Sequence, residues 1–306
     1  MPDSRARFDA TVTFANGGGL TAEGFRLDLP TGRETAEEIG RLFVRHLGLA
    51  MVGSVELANL EIVEEAHKGS RGIETASTAD RPRVVDLSHV IHEGLITYPG
   101  LPAPVITPHL TREASVGKYA EGTTFAMDVI TMIGNTGTYL DSPFHRYGDG
   151  ADLAGLDLAT LVDLPAEVFH LEDLTTRGIP VGVFLDRDLR GSAVLLHTGW
   201  DRHFGTPAYL TGSPYLEAEA VEYLVGQGAA LVGIDALNID DTESGGERPA
   251  HTGLLAAGIH VVEHLTRLGD VPARGARFTA APPAVRGFGT FPVRAFATLQ
   301  GGPPAR

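Results

Sequence analysis

A polar stretch without periodicity, Lys68–Arg83 (KGSRGIETASTADRPR), divides this chain into two pieces of unequal size. Nothing in it has the alternation of a strand or the three-to-four spacing of a helix, and it ends at a proline. The boundary therefore falls between a small unit with its linker, residues 1–80, and a larger one, residues 81–306. In the small unit, Ala10–Phe14 is rich in strand formers and the run Asn16 to Gly19 is a turn. Gly24–Leu29 alternates apolar and polar residues. A helix follows: Thr35 and Glu38 have capping-box spacing, Ile39, Leu42, Phe43 and Leu47 share a face, and Gly48 closes it. Met51–Val63 reads as a strand whose apolar parity changes, which predicts a bulge near Ala58. The order is ββαβ. A sheet with one helix has little core of its own, so this unit is expected to dock on the larger one or on a second subunit.

The larger piece reads as one α/β domain. Short apolar runs mark strands at Val84–Leu87, Phe125–Ile130, Val168–Leu171, Ala193–His197, Leu231–Ile234, Ile259–Val262 and Val293–Ala297. Leu216–Gly226 and Pro249–Ala257 read as helices. With 38 glycines and 19 prolines, many turns and short elements are expected. No dinucleotide, Walker, esterase or zincin motif occurs. The net charge of −15, without a Lys/Arg run, argues against nucleic acid and anionic membranes. Zero cysteines exclude disulfides, thiolate metal sites and a thiol nucleophile. No span is apolar enough to cross a membrane and no signal-like stretch opens the chain, so a cytoplasmic location is expected.

Chemistry-bearing residues gather between Gly134 and His145 (GNTGTYLDSPFH). Its glycines allow backbone to approach a ligand. Asp141 and His145 lie four apart, a pair that can orient and ionise water, although a capped surface loop has the same composition. Downstream, Glu263 closes the apolar strand Ile259–Val262, and His251 stands in the helical run. A carboxylate next to a core needs a partner unless it reaches water.

The segment Asn135-x-Gly137-Thr138-Tyr139-x-Asp141-x-Pro143-x-His145 resembles the signature His-x-Gly-Thr-His-x-Asp-x-Pro-x-His of the cyclase family, which includes bacterial kynurenine formamidase and isatin hydrolase. Asp86-Leu87-Ser88, Tyr98-Pro99-Gly100, Gly233-Ile234-Asp235, the pair His251 and Glu263, and the closing Ala281-Pro282-Pro283 to Ala295 run agree in order and spacing. The likeness covers nearly all of 84–306 and none of 1–80.

The resemblance implies a cyclase-family β/α domain, here preceded by the ββαβ unit, and hydrolysis of small amides, cyclic amides or imides, lactones or aryl formamides. A ring-closing or dehydrating enzyme and a non-catalytic metabolite-binding protein are the alternatives. Family members carry one or two divalent metals. Here Asn135 and Tyr139 replace two histidine ligands, which argues against the first metal position. Asp141, His251 and Glu263 remain for a second, so the preferred reading is metal-free, with a single Zn2+ or Mn2+ on those three residues as the alternative. By the same resemblance His145 is the general base, Asp141 or Glu263 orients it or the water, and Asn135 and Tyr139 are expected to donate to the oxyanion. Tyr98, Pro99, Gly100, His197 and Trp200 are expected to line the substrate pocket. His89, His92, His109, His203, His260 and His264 are read as structural or exposed, and Asp235, Asn238, Asp240 and Asp241 as a hydrogen-bonded connection near the site. A homodimer or homotetramer acting on a small molecule is expected, since in the family neighbouring chains help close the pocket.

Overall fold

The computed structural model describes residues 3–29, 32–49, 51–65 and 82–299. Most of the linker Lys68–Arg83 lies outside the described residues. The chain divides into two compact units, Met1–Ala79 and Asp80–Arg306.

In the first unit β1 (Asp3–Phe14) lies between β2 (Gly19–Asp28) and β3 (Val52–Glu65), antiparallel to both, and α1 (Ala36–His46) separates β2 from β3. Thr35 and Glu38 form the reciprocal cap that begins α1. Alternation along β1 sends Ala6, Phe8, Ala10 and Val12 inward, where Phe8 and Phe25 meet Phe43 of the helix. The change of parity in β3 is a bulge. The ladder with β1 skips between Glu61 and Ala58, and Asn59 takes up the extra residue at φ 53°.

The second unit contains β4 (Arg83–Asp86), β5 (Val105–Leu110), α2 (Arg112–Ser115), β6 (Met127–Thr131), β7 (Tyr139–Asp141), β8 (Leu164–His170), β9 (Gly178–Ile179) and β10 (Ala193–His197). After these come β11 (Tyr215–Leu216), α3 (Ala218–Gln227), β12 (Leu231–Ile234), α4 (Pro249–Ala256), β13 (His260–Glu263), β14 (Ala276–Thr279), β15 (Thr290–Pro292) and β16 (Phe296–Leu299). Nine strands form one mixed sheet in the order β15-β7-β13-β12-β10-β8-β14-β16-β4. Its centre, β8, β10, β12 and β13, is parallel. The flanking strands are antiparallel to it. Central strands buried on both faces read as continuous apolar runs, as Ala193–His197 and Leu231–Ile234 do.

Alternate residues divide two cores between the sheet's faces. Val168, Leu195, Val262 and Leu140 enter one. Phe169, Leu196, Ile234 and Val261 enter the other, which α3 and α4 cover with Ala220, Leu224 and Leu254. Strands β5 and β6 pair with each other as a separate ribbon. No helix among the described residues is long and apolar enough to cross a membrane.

Candidate active site

Strand alternation builds the site. Leu140 enters one core, so its neighbours Tyr139 and Asp141 face the opposite side of the sheet. On β13, Val262 shares Leu140's side and Glu263 therefore shares that of Tyr139, directly opposite which it is paired. Helix α4 delivers His251 to the same side. Its first turn is capped by Asp240, which accepts from the N–H of Ala250 at 2.6 Å and of His251 at 3.1 Å. The same carboxylate accepts from His251 Nδ1 at 2.6 Å, so one group sets both the helix start and the ring. The 3-10 turn Pro143–His145 follows β7 and presents His145.

These elements bring Asn135, Tyr139, Asp141, His145, His251 and Glu263 into one cavity of about 310 Å³, where Asn238, Arg146 and Arg248 join them. Of the residues expected to bind substrate, none lines this cavity. Pro99 and Gly100 line a different one with Tyr209, and Tyr98 closes a turn beside them by accepting from Leu101 N–H. Trp200, half-buried, packs against the second core and donates its indole N–H to Tyr209 O. His197 has the parity of Leu195, so it points to the sheet's other face.

With Nδ1 bonded to Asp240, His251 directs Nε2 inward. It lies 3.5 Å from Asp141 Oδ2 and 3.6 Å from Glu263 Oε1. Burial opposes charge on this ring, but Asp141, Asp240 and Glu263 outweigh burial and hold its pKa well above 6.5. Burial lifts Glu263 to about 7, with His251 opposing and Asp141 adding to the rise. At Asp141 burial also works upward, yet His251, His145 and Thr290 bring the pKa below its ordinary value. Two carboxylates around one ring nitrogen call for a positive charge there, either a proton on Nε2 or a metal cation.

The residues fit a cation. Asp141 Oδ2 is buried and has no hydrogen-bond partner among the described residues. Ligand atoms of Asp141, His145 and His251 lie within 4.8 Å of one another. Tetrahedral bonds of about 2.1 Å space ligand atoms roughly 3.4 Å apart, close to the two separations around Nε2. The position where Asn135 and Tyr139 stand does not fit one. Tyr139 O–H donates to Glu263 Oε2 at 2.7 Å. Burial, then the charges of Glu263 and Asp141, raises its pKa well above 10, so the phenol keeps its proton. Asn135 lines the same cavity as this phenol.

Two contributors carry no local sequence signal. Thr290 Oγ1 donates to Asp141 Oδ1, and that single hydrogen being used, it accepts from His145 Nδ1 at 2.7 Å. His145 is thereby fixed with Nδ1 protonated and Nε2 bare. Gly289 permits this approach, since a Cβ there would lie 2.6 Å from His145 N. The second is His264, read above as structural or exposed and found fully buried. Its Nδ1 lies 2.9 Å from Tyr209 OH and its Nε2 3.3 Å from Tyr139 OH. Burial, reinforced by His89, pushes its pKa down to about 3, so the ring is neutral.

Residues 85–241 match the model of the family described as "Putative cyclase". A kynurenine formamidase of Geobacillus thermodenitrificans is 32% identical over 214 residues, 69% of this chain and 95% of the relative. An isatin hydrolase solved with the product analogue thioisatinate is similar in fold, with TM-score 0.61 and 23% identity over 72% of this chain and 93% of that one. A structure described as a "potential metal-dependent hydrolase with cyclase activity" gives TM-score 0.58 and 28% identity over 72% of this chain and all of that one. The chain belongs to the cyclase family.

Proposed function

We propose that this protein hydrolyses a small amide, either an aryl formamide or a cyclic amide or imide, that carries an acidic group. The observation that carries this reading is the relay Asp141–Thr290–His145, which leaves His145 Nε2 as a bare base in a cavity shared with a cluster fit for a cation. The kynurenine formamidase and isatin hydrolase relatives support the amide substrate class.

His145 Nε2 takes a proton from water as its oxygen attacks the carbonyl carbon. The imidazolium is stabilised through Thr290 and by Asp141 Oδ1, 3.7 Å from Nδ1. The proton then passes to the nitrogen as the C–N bond breaks. Asn135 has two amide N–H groups. Asn135 lines the cavity, where they would donate to the developing oxyanion. Tyr139, whose proton is held by Glu263, fixes that carboxylate instead of serving the oxyanion. Asp141 and His251 would hold one divalent cation, which when bound would polarise the carbonyl and acidify water; Glu263, expected as a third ligand, lies outside the group of converging ligand atoms and accepts from Tyr139 O–H and Ile239 N–H instead. Arg146 and Arg248 line the cavity, and among the described residues neither forms an ion pair with a carboxylate. In a chain of net charge −15 they are the groups that would receive an anionic substituent. The chain is expected to act as a homodimer or homotetramer.

The test is a product screen by mass spectrometry over aryl formamides and cyclic imides, with and without a carboxylate. Gain of one water is expected, faster for the acids. His145→Ala should lower kcat by about 10²–10⁴. Loss of water with ring closure, or full activity in His145→Ala, would overturn the proposal.

A further inference from the structure

A second group of converging ligand atoms lies on the sheet face opposite the cavity. His170 and His197 end β8 and β10 and are paired across the parallel ladder. Both have the parity of Val168 and Leu195, so their side chains leave the sheet together. Their Nδ1 atoms are 2.9 Å apart with the rings at 89°. Glu172 Oε1 lies 3.1 Å from His197 Nδ1. All three residues offer ligand atoms within 4.8 Å of one another.

Protons serve this arrangement poorly. If His197 Nδ1 carries its hydrogen, that hydrogen is divided between an imidazole and a carboxylate. If it does not, its lone pair faces a carboxylate oxygen at 3.1 Å. A cation at the centre satisfies all three atoms at once. Tetrahedral zinc spaces its ligand atoms about 3.3 Å apart, a few tenths of an ångström from the separations found. The surrounding backbone makes room for the ligands. A Cβ on Gly199, which has φ +69°, would lie 3.3 Å from Glu172 Cγ, and one on Gly269 would lie 3.1 Å from His197 Cε1. His197 is 9% exposed, while His170 and Glu172 are open to solvent, so an ion can enter from outside.

We propose that His170, Glu172 and His197 form a site for a zinc-class divalent cation, separate from the catalytic cavity, that clamps the ends of β8 and β10 together. Two imidazoles and one carboxylate favour zinc, cobalt or nickel over magnesium or calcium. The proposal does not depend on the hydrolase reading.

The experiment uses the full chain with Asp141→Ala and His251→Ala, which remove the cavity's ligands. After chelation it is titrated with zinc, and with cobalt(II) as a spectroscopic probe. One saturable zinc per chain is expected, with shifts of the His170 and His197 ring nitrogens in the NMR spectrum. Adding His170→Ala should weaken binding beyond the roughly 10–100-fold typical of losing an outer-shell partner. Absence of saturable zinc, or unchanged affinity with His170→Ala, overturns the proposal. Should the cavity variant not fold, the comparison is made between the unaltered chain and His170→Ala alone, an exposed position. Zinc content must then fall by one ion per chain, and zinc must raise Tm less in the variant. Equal content and equal Tm shift would overturn it as well.

Discussion

Thr290 turns three separate side chains into a relay. Its hydroxyl has one hydrogen, which goes to Asp141, and so it must accept from His145. Thr290→Val keeps the shape, removes the hydroxyl and leaves the His145 tautomer unset. The expected result is a fall in kcat of about 10² or more, with KM nearly unchanged. Thr290→Ser should recover most of the rate, and steady-state kinetics on the three proteins decides the matter. Asp240 acts on the other histidine from behind. Asp240→Asn retains an acceptor for the helix cap but weakens the charge that orients His251. Affinity for a cation on Asp141 and His251 should fall about 10–100-fold, as for other outer-shell partners. Calorimetric titration with zinc or manganese measures it, and unchanged affinity would show that the cation does not use His251.

Strand β13 shows how one short element serves stability and chemistry together. Val261 and Val262 supply the two cores, Glu263 reaches the cavity, and His260 points into the protein at the strand's start. His260 Nε2 pairs with Thr160 Oγ1 at 2.9 Å while Nδ1 has no partner among the described residues. Burial lowers its pKa from 6.5 to about 4. Between these values the unfolded chain binds a proton that the folded chain refuses, so stability falls as pH drops through that window. At about 1.4 kcal/mol per unit, the loss approaches roughly 3 kcal/mol and is complete near pH 4. His260→Gln should flatten the dependence of the urea midpoint on pH over this range. An equally steep dependence in the variant would assign it to other groups. Such elements were also the most legible from sequence. β10 and β12 coincide with their apolar runs, and the altered parity of β3 located its bulge within a residue or two. The run Val293–Ala297 was misleading because the chain changes partners there. Val293 donates to Thr138 O and Ala295 to Ser88 Oγ, so the ladder breaks into β15 and β16. β5 carries no clear strand pattern in the sequence because Pro108 interrupts it. At the site, the signature and its two replaced histidines were readable, since those residues are neighbours in sequence. The proton of Tyr139 was not, because its acceptor Glu263 lies 124 residues away. The parity that turns His197 away from the cavity appears only once the strand is placed in the sheet.

At the scale of the whole molecule, the ribbon of β5 and β6 is the least self-sufficient part of the second unit. A two-stranded ribbon is marginal in water unless another surface covers it. Its cross-strand pairs include Val105 with Thr131, Ile106 with Ile130 and Thr107 with Val129. Val105, Ile106, Val129 and Ile130 are all between 40% and 49% exposed; alternation puts Ile106 and Ile130 on one face of the ribbon and Val105 and Val129 on the other, so both faces are apolar and open. Single exposed apolar residues are ordinary, but apolar side chains left open on both faces of paired strands mark an interaction surface. A second copy of this chain is the occupant expected, in line with a homodimer or homotetramer. The variant Ile106→Lys with Ile130→Glu tests it on the full chain. The two residues face each other across the ladder, so opposite charges support the ribbon while removing the apolar pair of one face. Sedimentation should give a multiple of 32.4 kDa for the unaltered protein and a mass near that of one chain for the variant. If both sediment as the same oligomer, the ribbon is not the contact. If the unaltered chain is already a monomer, the ribbon stands without a second copy and the expected assembly is wrong.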